Sequence, residues 1–238
     1  MNLILVKREE ICGERVRLEG RRFAHARDML KIEAGKKVKL GVSGATRFVG
    51  QVERVGADFC EVALVAECGT LPRAGIDVLL ALPRPKCLKR LLPQIAALGV
   101  GRLYITGAEK VEKNYWGSRF LEPEIFQPLL EEGLEQAGDT IAPEVVVARR
   151  LKPLLEDVIA AEYAEAVKLL AHPETETTND NSRTANNTLI AVGPEGGWTE
   201  YELGMFGALG FKKVSLGPRI LRTDTAVVAL VTAAKTFF

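Results

Sequence analysis

Ile190-Ala191-Val192-Gly193-Pro194-Glu195-Gly196-Gly197-Trp198-Thr199-Glu200 reads as a strand, a glycine-rich turn and the start of a helix. The run into Gly193 is apolar without alternation, as expected of a strand covered on both faces. Thr199 stands where a helix N-cap belongs. About twenty residues further on, Val214-Ser215-Leu216-Gly217-Pro218-Arg219-Ile220-Leu221-Arg222-Thr223-Asp224-Thr225-Ala226 repeats the plan, with Thr223 or Thr225 as the expected cap. In an open α/β sheet, ligands bind beyond the carboxyl ends of the strands, and glycines there let the backbone approach them. Either loop alone could be an ordinary turn. Two of the same design, one strand apart, point to a ligand site.

Upstream, the same grammar extends back to Leu71-Pro72. Apolar runs at Val78–Leu82, Leu103–Ile105, Val145–Val147, Val167–Leu170, Leu189–Val192 and Val214–Leu216 are expected strands. Helical stretches fall between them: up to Leu98, over Phe120–Ala137, around Leu151–Glu165, from Glu200 and from Thr223. This alternation predicts an α/β domain with a mainly parallel sheet over residues 73–238. Pro173–Asn187 is polar and reads as a surface loop.

Residues 1–72 read differently. An apolar start, Leu3–Val6, precedes one short helix over Arg21–Leu30, with Phe23, Ala26 and Leu30 on one face. Strands are expected at Lys37–Val42, Phe48–Val52 and Cys60–Val65, separated by Ser43-Gly44 and Gly56-Ala57-Asp58. Regular short strands with one helix predict a small β-barrel domain.

Composition excludes several classes. No apolar run approaches the roughly 18 to 20 residues that span a bilayer, and the N-terminus lacks the order of a signal peptide. The expectation is a soluble cytoplasmic protein. The four cysteines show no C-x-x-C pairing and have only two histidines for company, so neither a metal site nor a disulfide framework is expected. There is no G-x-x-x-x-G-K-[ST] and no G-x-G-x-x-G after a strand. Gly41-Val42-Ser43-Gly44 is not a nucleophile elbow. Net charge is +1, but residues 1–72 hold 13 Lys and Arg against 10 Asp and Glu. That small excess is compatible with a phosphate-contacting surface.

Within the second loop, Ile220 and Leu221 could sandwich a flat heterocycle, while Arg219 and Arg222 could hold phosphate or stabilise charge on a base. Either arginine could equally be a solvated surface charge or an ion-pair partner of Glu195.

Taken together, Gly193-Pro194-Glu195-Gly196-Gly197 and Leu216-Gly217-Pro218-Arg219-Ile220-Leu221-Arg222-Thr223-Asp224-Thr225-Ala226 closely resemble the signature of the RsmE family. Those are the 16S rRNA (uracil-N3)-methyltransferases of the knotted SPOUT superfamily. The resemblance extends more weakly over Ala81-Leu82-Pro83, Leu98-Gly99-Val100 and Leu170-Ala171-His172-Pro173. It implies a C-terminal deep trefoil knot, a PUA-like RNA-binding barrel over residues 1–72, and a homodimer. It also implies S-adenosyl-L-methionine as cofactor and 16S rRNA or the small ribosomal subunit as partner. The implied cofactor residues are Leu170, His172, Gly193, Pro194, Glu195, Gly196, Gly197, Leu216, Gly217, Ile220, Leu221, Thr223 and Ala226. Arg222 and Arg219 are the expected catalytic residues, easing loss of the uracil N3 proton. Glu195 and Asp224 are candidate bases, although Glu195 could serve only to brace its loop. Arg8, Arg17, Arg21, Arg22 and Arg27 are the expected rRNA phosphate contacts.

Departures from the family pattern fall elsewhere. The usual Gln-Lys and Glu-Leu-Gly appear as Pro93-Gln94 and Ala97-Leu98-Gly99. Glu135-Gln136-Ala137-Gly138-Asp139 ends in an acid where a base is usual, and Met29-Leu30-Lys31 replaces Val-Leu-Arg. These leave two further readings open: methylation of a different rRNA or tRNA nucleotide, and a non-catalytic RNA-binding or assembly factor.

Overall fold

Six parallel strands form the sheet that carries the two glycine loops. The computed structural model describes residues 3–173 and 187–237, so positions 174–186 of the expected polar loop lie outside the described residues. The strands are β7 (Ile76–Ala81), β8 (Arg102–Thr106), β9 (Glu144–Ala148), β10 (Val167–Ala171), β11 (Thr188–Val192) and β12 (Lys212–Val214). Their order is β12-β10-β11-β7-β8-β9, with every pair parallel. They share direction, so the loops that leave their carboxyl ends line one edge. β11 is buried along its whole length, which accounts for its unbroken apolar run.

The connecting helices are α2 (Pro85–Ala97), α3 (Pro123–Ala137), α6 (Glu200–Ala208) and α7 (Thr223–Phe237). A further helical stretch runs from α4 (Leu151–Pro153) through a π-helical turn (Leu154–Ile159) into α5 (Ala160–Glu162). Several ends differ from expectation. Phe120 sits in a separate 3-10 turn capped by Ser118, and α3 begins at Pro123, whose missing N–H costs nothing there. The stretch expected to reach Glu165 stops at Glu162. Tyr163 then turns inward, donating to Asp77 at 2.5 Å. β12 ends at Val214 because the Ser215 hydroxyl takes the Gly217 amide at 3.3 Å and turns the chain out. Finally, Ala226 donates to the Arg222 carbonyl, so Thr223 opens α7 and neither it nor Thr225 is the cap.

The chain divides into two units: residues 1–72 with Glu131–Ala142, and Arg73–Leu130 with Pro143–Phe238. The first unit is a mixed sheet ordered β1-β4-β5-β6-β3-β2. Its strands are β1 (Ile4–Val6), β2 (Ile11–Cys12), β3 (Arg15–Glu19), β4 (Lys37–Val42), β5 (Arg47–Val55) and β6 (Phe59–Gly69). β1 pairs with β4 in parallel and the other pairs are antiparallel. Helix α1 (Gly20–Asp28) buries Phe23 and Ala26 against Leu18, Leu40 and Val62. β3 was not anticipated, although Val16 and Leu18 alternate with Arg15, Arg17 and Glu19 as a half-buried strand requires.

Residues 131–142 complete this unit. The Glu135 backbone carbonyl accepts from the Leu3 amide at 3.0 Å, and its carboxylate accepts from the Leu5 amide at 3.4 Å. Asp139, the acid in place of a usual base, accepts the Thr140 and Ile141 amides at 2.7 and 3.3 Å and so shapes a turn. Thr140 then packs where a side chain on Gly41 would stand.

Glu10 lies against the Arg22 guanidinium, which also donates to the Leu5 carbonyl at 3.1 Å. The Arg22 hydrogen bonds outweigh the cost of burial and bring the Glu10 carboxyl from 4.5 down to about 2. A depressed carboxyl stabilises the fold above its unfolded pKa, and that contribution is lost as pH falls through the folded value. Glu10→Gln is expected to cost roughly 1–2 kcal/mol at neutral pH. The penalty should fade as the pH drops from 4.5 towards 2, as read by urea denaturation across that range. An equal penalty at both ends would count against the pair.

Candidate functional site

The strand order sets the geometry of the site. β10 lies between β11 and β12, so the Leu170–His172 strand end stands between the two glycine loops. The His172 amide donates to the Val214 carbonyl at 2.9 Å, fastening the exit of β10 to that of β12. Leu170 is buried and supplies the wall behind that exit.

The first loop is a close fit. A side chain on Gly193 would meet the Trp198 indole nitrogen at 3.0 Å. Trp198 is buried, packs edge-on against Phe206 at 4.8 Å, and its indole N–H has no hydrogen-bond partner among the described residues. Gly197 has φ +69° and donates its amide to the Pro194 carbonyl at 2.8 Å. The Gly196 carbonyl accepts from the Lys110 ammonium at 2.9 Å. Glu195 accepts from the Arg84 amide at 3.1 Å and lies 4.0 Å from its guanidinium. It braces the loop against the start of α2, and its arginine partner is Arg84 rather than Arg219 or Arg222.

Thr199 is the N-cap, and Glu202 completes a capping box by accepting the Thr199 amide at 2.8 Å. The other oxygen of this buried carboxylate accepts the Glu109 amide at 2.8 Å, tying α6 to the loop after β8.

The second loop is open. Gly217 has φ +105°, a conformation that strains any L side chain. Leu216 is 40% exposed, Leu221 37% and Ile220 88%. Arg219 is exposed and has no carboxylate partner among the described residues. Thr223 is buried at the start of α7, with Ala226 beside it on the first turn.

Arg222 donates to Asp224 at 3.3 Å, and Arg90 of α2 donates to the same oxygen at 2.8 and 3.2 Å. Burial pushes the Asp224 carboxyl up, but the Arg90 hydrogen bond, the Arg222 charge and the Thr225 amide outweigh it. The net shift is downward. Asp224 is therefore a poor proton acceptor. Arg90 carries no local sequence signal, because its role depends on α2 lying beside α7.

The expected phosphate contacts sit in the first unit and are mostly engaged. Arg17 pairs with Glu19, Arg21 with Glu135, Arg22 with Glu10 and Arg27 with Asp28. Arg8 alone among them has no ion-pair partner among the described residues, and it lines a cleft of about 460 Å³ with Ile11, Phe48 and Leu64. Among the described residues, no group of three or more His, Cys, Asp or Glu could hold a metal, and no helix is long and apolar enough to cross a membrane.

Comparison with known proteins places this geometry. The RNA methyltransferase domain family matches residues 70–235. Ribosomal RNA small subunit methyltransferase E of Treponema pallidum is 31% identical, over 96% of this chain and 88% of that protein. Ribosomal RNA small subunit methyltransferase E 1 of Borreliella burgdorferi is 27% identical over 99% and 98%. The crystal structure of the Neisseria gonorrhoeae methyltransferase E bound to S-adenosyl methionine shares the fold. Its TM-score is 0.80 at 21% identity, covering 100% of this chain and 98% of that one. The chain belongs to the RNA methyltransferase family that includes ribosomal RNA small subunit methyltransferase E.

Proposed function

We propose that this protein transfers a methyl group from S-adenosyl-L-methionine to N3 of a uracil in 16S rRNA of the small ribosomal subunit. The observation that carries the reading is the placement of three cofactor-type segments on adjacent strand ends, in a chain of this family. The fit to the cofactor rests on two features of the site. Gly193 lets the buried Trp198 ring pack against the loop backbone, which fixes the backbone groups of Gly193–Gly197, and Leu216, Ile220 and Leu221 expose apolar surface on the second loop. Leu170, His172 and the Gly193–Gly197 backbone would hold the cofactor, with Leu216, Ile220 and Leu221 supplying apolar contact. On this reading the C-terminal segment carries the trefoil knot of its superfamily and residues 73–238 form the methyltransferase domain. Residues 1–72 form a PUA-like barrel that docks RNA through Arg8 and the exposed pairs at Arg17, Arg21 and Arg27. The enzyme acts in the cytoplasm as a homodimer.

S-adenosyl-L-methionine supplies an electrophilic methyl on sulfur, and transfer needs in-line placement in a water-poor site. The protein's chemical task lies at the acceptor. Uracil N3 carries a proton on the pairing edge, so the base must be unpaired and deprotonated. The loops offer two carboxylates, and both are committed: Glu195 to the Arg84 amide, Asp224 to Arg90 and Arg222. Assistance is therefore assigned to charge. Arg222, held on Asp224, and Arg219, which has no carboxylate partner among the described residues, stabilise the negative charge that develops on the uracil oxygens as the N3 proton leaves.

Arg222→Ala should lower turnover about a hundredfold at saturating cofactor while leaving cofactor affinity within twofold; full turnover would remove the electrostatic role. Gly217→Ala, straining a residue at φ +105°, should weaken cofactor binding in calorimetry about ten- to a hundredfold. Wild-type affinity in that variant would mean that the loop does not close on the cofactor. In a strain lacking the protein, mass mapping of 16S rRNA should show one uracil without its N3 methyl. An unchanged map, or a methyl lost elsewhere, would overturn the substrate.

A further inference from the structure

Five exposed cations of the second unit stand on two loops. Lys110, Lys113 and Arg119 follow β8, and Arg149 and Arg150 follow β9. Both loops leave the carboxyl edge of the sheet, the edge that bears the glycine loops. Among the described residues, none of Lys113, Arg119, Arg149 and Arg150 lies within ion-pairing distance of a carboxylate. The acids on these loops are Glu109, whose amide is held by Glu202, together with Glu112 and Glu122. The loops are built against one another. Gly107 has no Cβ, which lets the Arg149 carbonyl sit against it, and the Trp116 ring packs within 3.5 Å of the same position. The Arg149 guanidinium lies 5.5 Å from the Trp116 centroid, and Tyr115 stands beside it in the 3-10 turn Lys113–Gly117. Lys110 joins this surface to the cofactor-type loop through the Gly196 carbonyl.

We infer that this strip, Lys113, Arg119, Arg149 and Arg150 interleaved with Tyr115 and Trp116, binds the single-stranded rRNA that flanks the target nucleotide. The inference rests on the RNA methyltransferase reading above. A cation without a carboxylate partner brings its full charge to a phosphate and releases that phosphate's counterion. An arginine already neutralised by a neighbour, like most of those in residues 1–72, brings less. Aromatic rings among the cations give unpaired bases a surface to stack on, which is how single strands are held without regard to sequence. A flipped target base leaves its neighbours unpaired, and these loops stand where such neighbours would run.

The test compares the wild-type protein with K113A/R119A/R149A and with R149K. Binding to 16S rRNA and to a short single-stranded oligouridylate is followed by fluorescence anisotropy across a salt titration. The triple variant should bind both RNAs at least tenfold more weakly at about 0.15 M salt, and its salt slope should shrink by about 2, since single strands contribute roughly 0.7 per phosphate neutralised. R149K should keep most of the slope, and calorimetric affinity for S-adenosylmethionine should be unchanged in both variants. Unchanged RNA affinity and slope in the triple variant would overturn the inference. So would a parallel loss of cofactor affinity, since the substitutions would then act through the fold. If instead the wild type neither binds S-adenosylmethionine nor methylates 16S rRNA, the functional reading itself has failed.

Discussion

Parallel pairing of β10 with both β11 and β12 is the constraint on which the site depends. Because β12 returns to pair with β10, outside it from β11, three strand ends that are distant in sequence become neighbours. A shift of one residue in either pairing would turn every buried side chain of that strand to the other face. It would also move one loop relative to the others. The hydrogen bond from the His172 amide to the Val214 carbonyl holds this arrangement at the ligand edge itself.

Around that frame, stiffness is unevenly distributed. The first loop is braced on all sides: Trp198 against Phe206, Glu195 on Arg84, Lys110 on Gly196, and Glu202 linking the α6 cap to Glu109. Such a loop presents its backbone groups in one arrangement, as recognition of a fixed ligand requires. The second loop is fastened only at its ends, by Ser215 and by the Asp224 contacts, and between them its apolar residues are exposed. One loop is suited to holding and the other to closing.

The legible part of the sequence was the local part. Glycine-proline turns, a threonine cap and unbroken apolar runs state their meaning within a few residues, and the strands of the parallel sheet fall within about two residues of expectation. What was not legible depends on contacts between distant segments. Asp139 looks like a departure from a family pattern, yet it shapes the turn after α3, and Glu135 in the same run ties residues 131–142 to β1. β3 is an intermediate case: Val16 and Leu18 carry the alternation, but three charged residues in five mask it as a polar segment. Arg84 and Arg90 have no local signature at all, since each acts only where α2 meets a loop from the far end of the chain.

The same distinction bears on charge. Counting lysines and arginines along the chain favours residues 1–72 as the basic segment, but a count does not register pairing. There, Arg15, Arg17, Arg21, Arg22, Arg27 and Arg54 each face a carboxylate. The segment that is net acidic by count holds Lys113, Arg119, Arg149 and Arg150, none of which faces a carboxylate among the described residues. A phosphate responds to the local field, which is set by uncompensated charge within roughly a Debye length of 8–10 Å. Arg222 illustrates the finer balance. Asp224 would quench it in a simple pair, but Arg90 shares that carboxylate, so two guanidiniums stand on one negative charge and the cluster stays net positive towards the open loop. A carboxylate that positions an arginine need not cancel it, provided that a second cation is bound to the same oxygen.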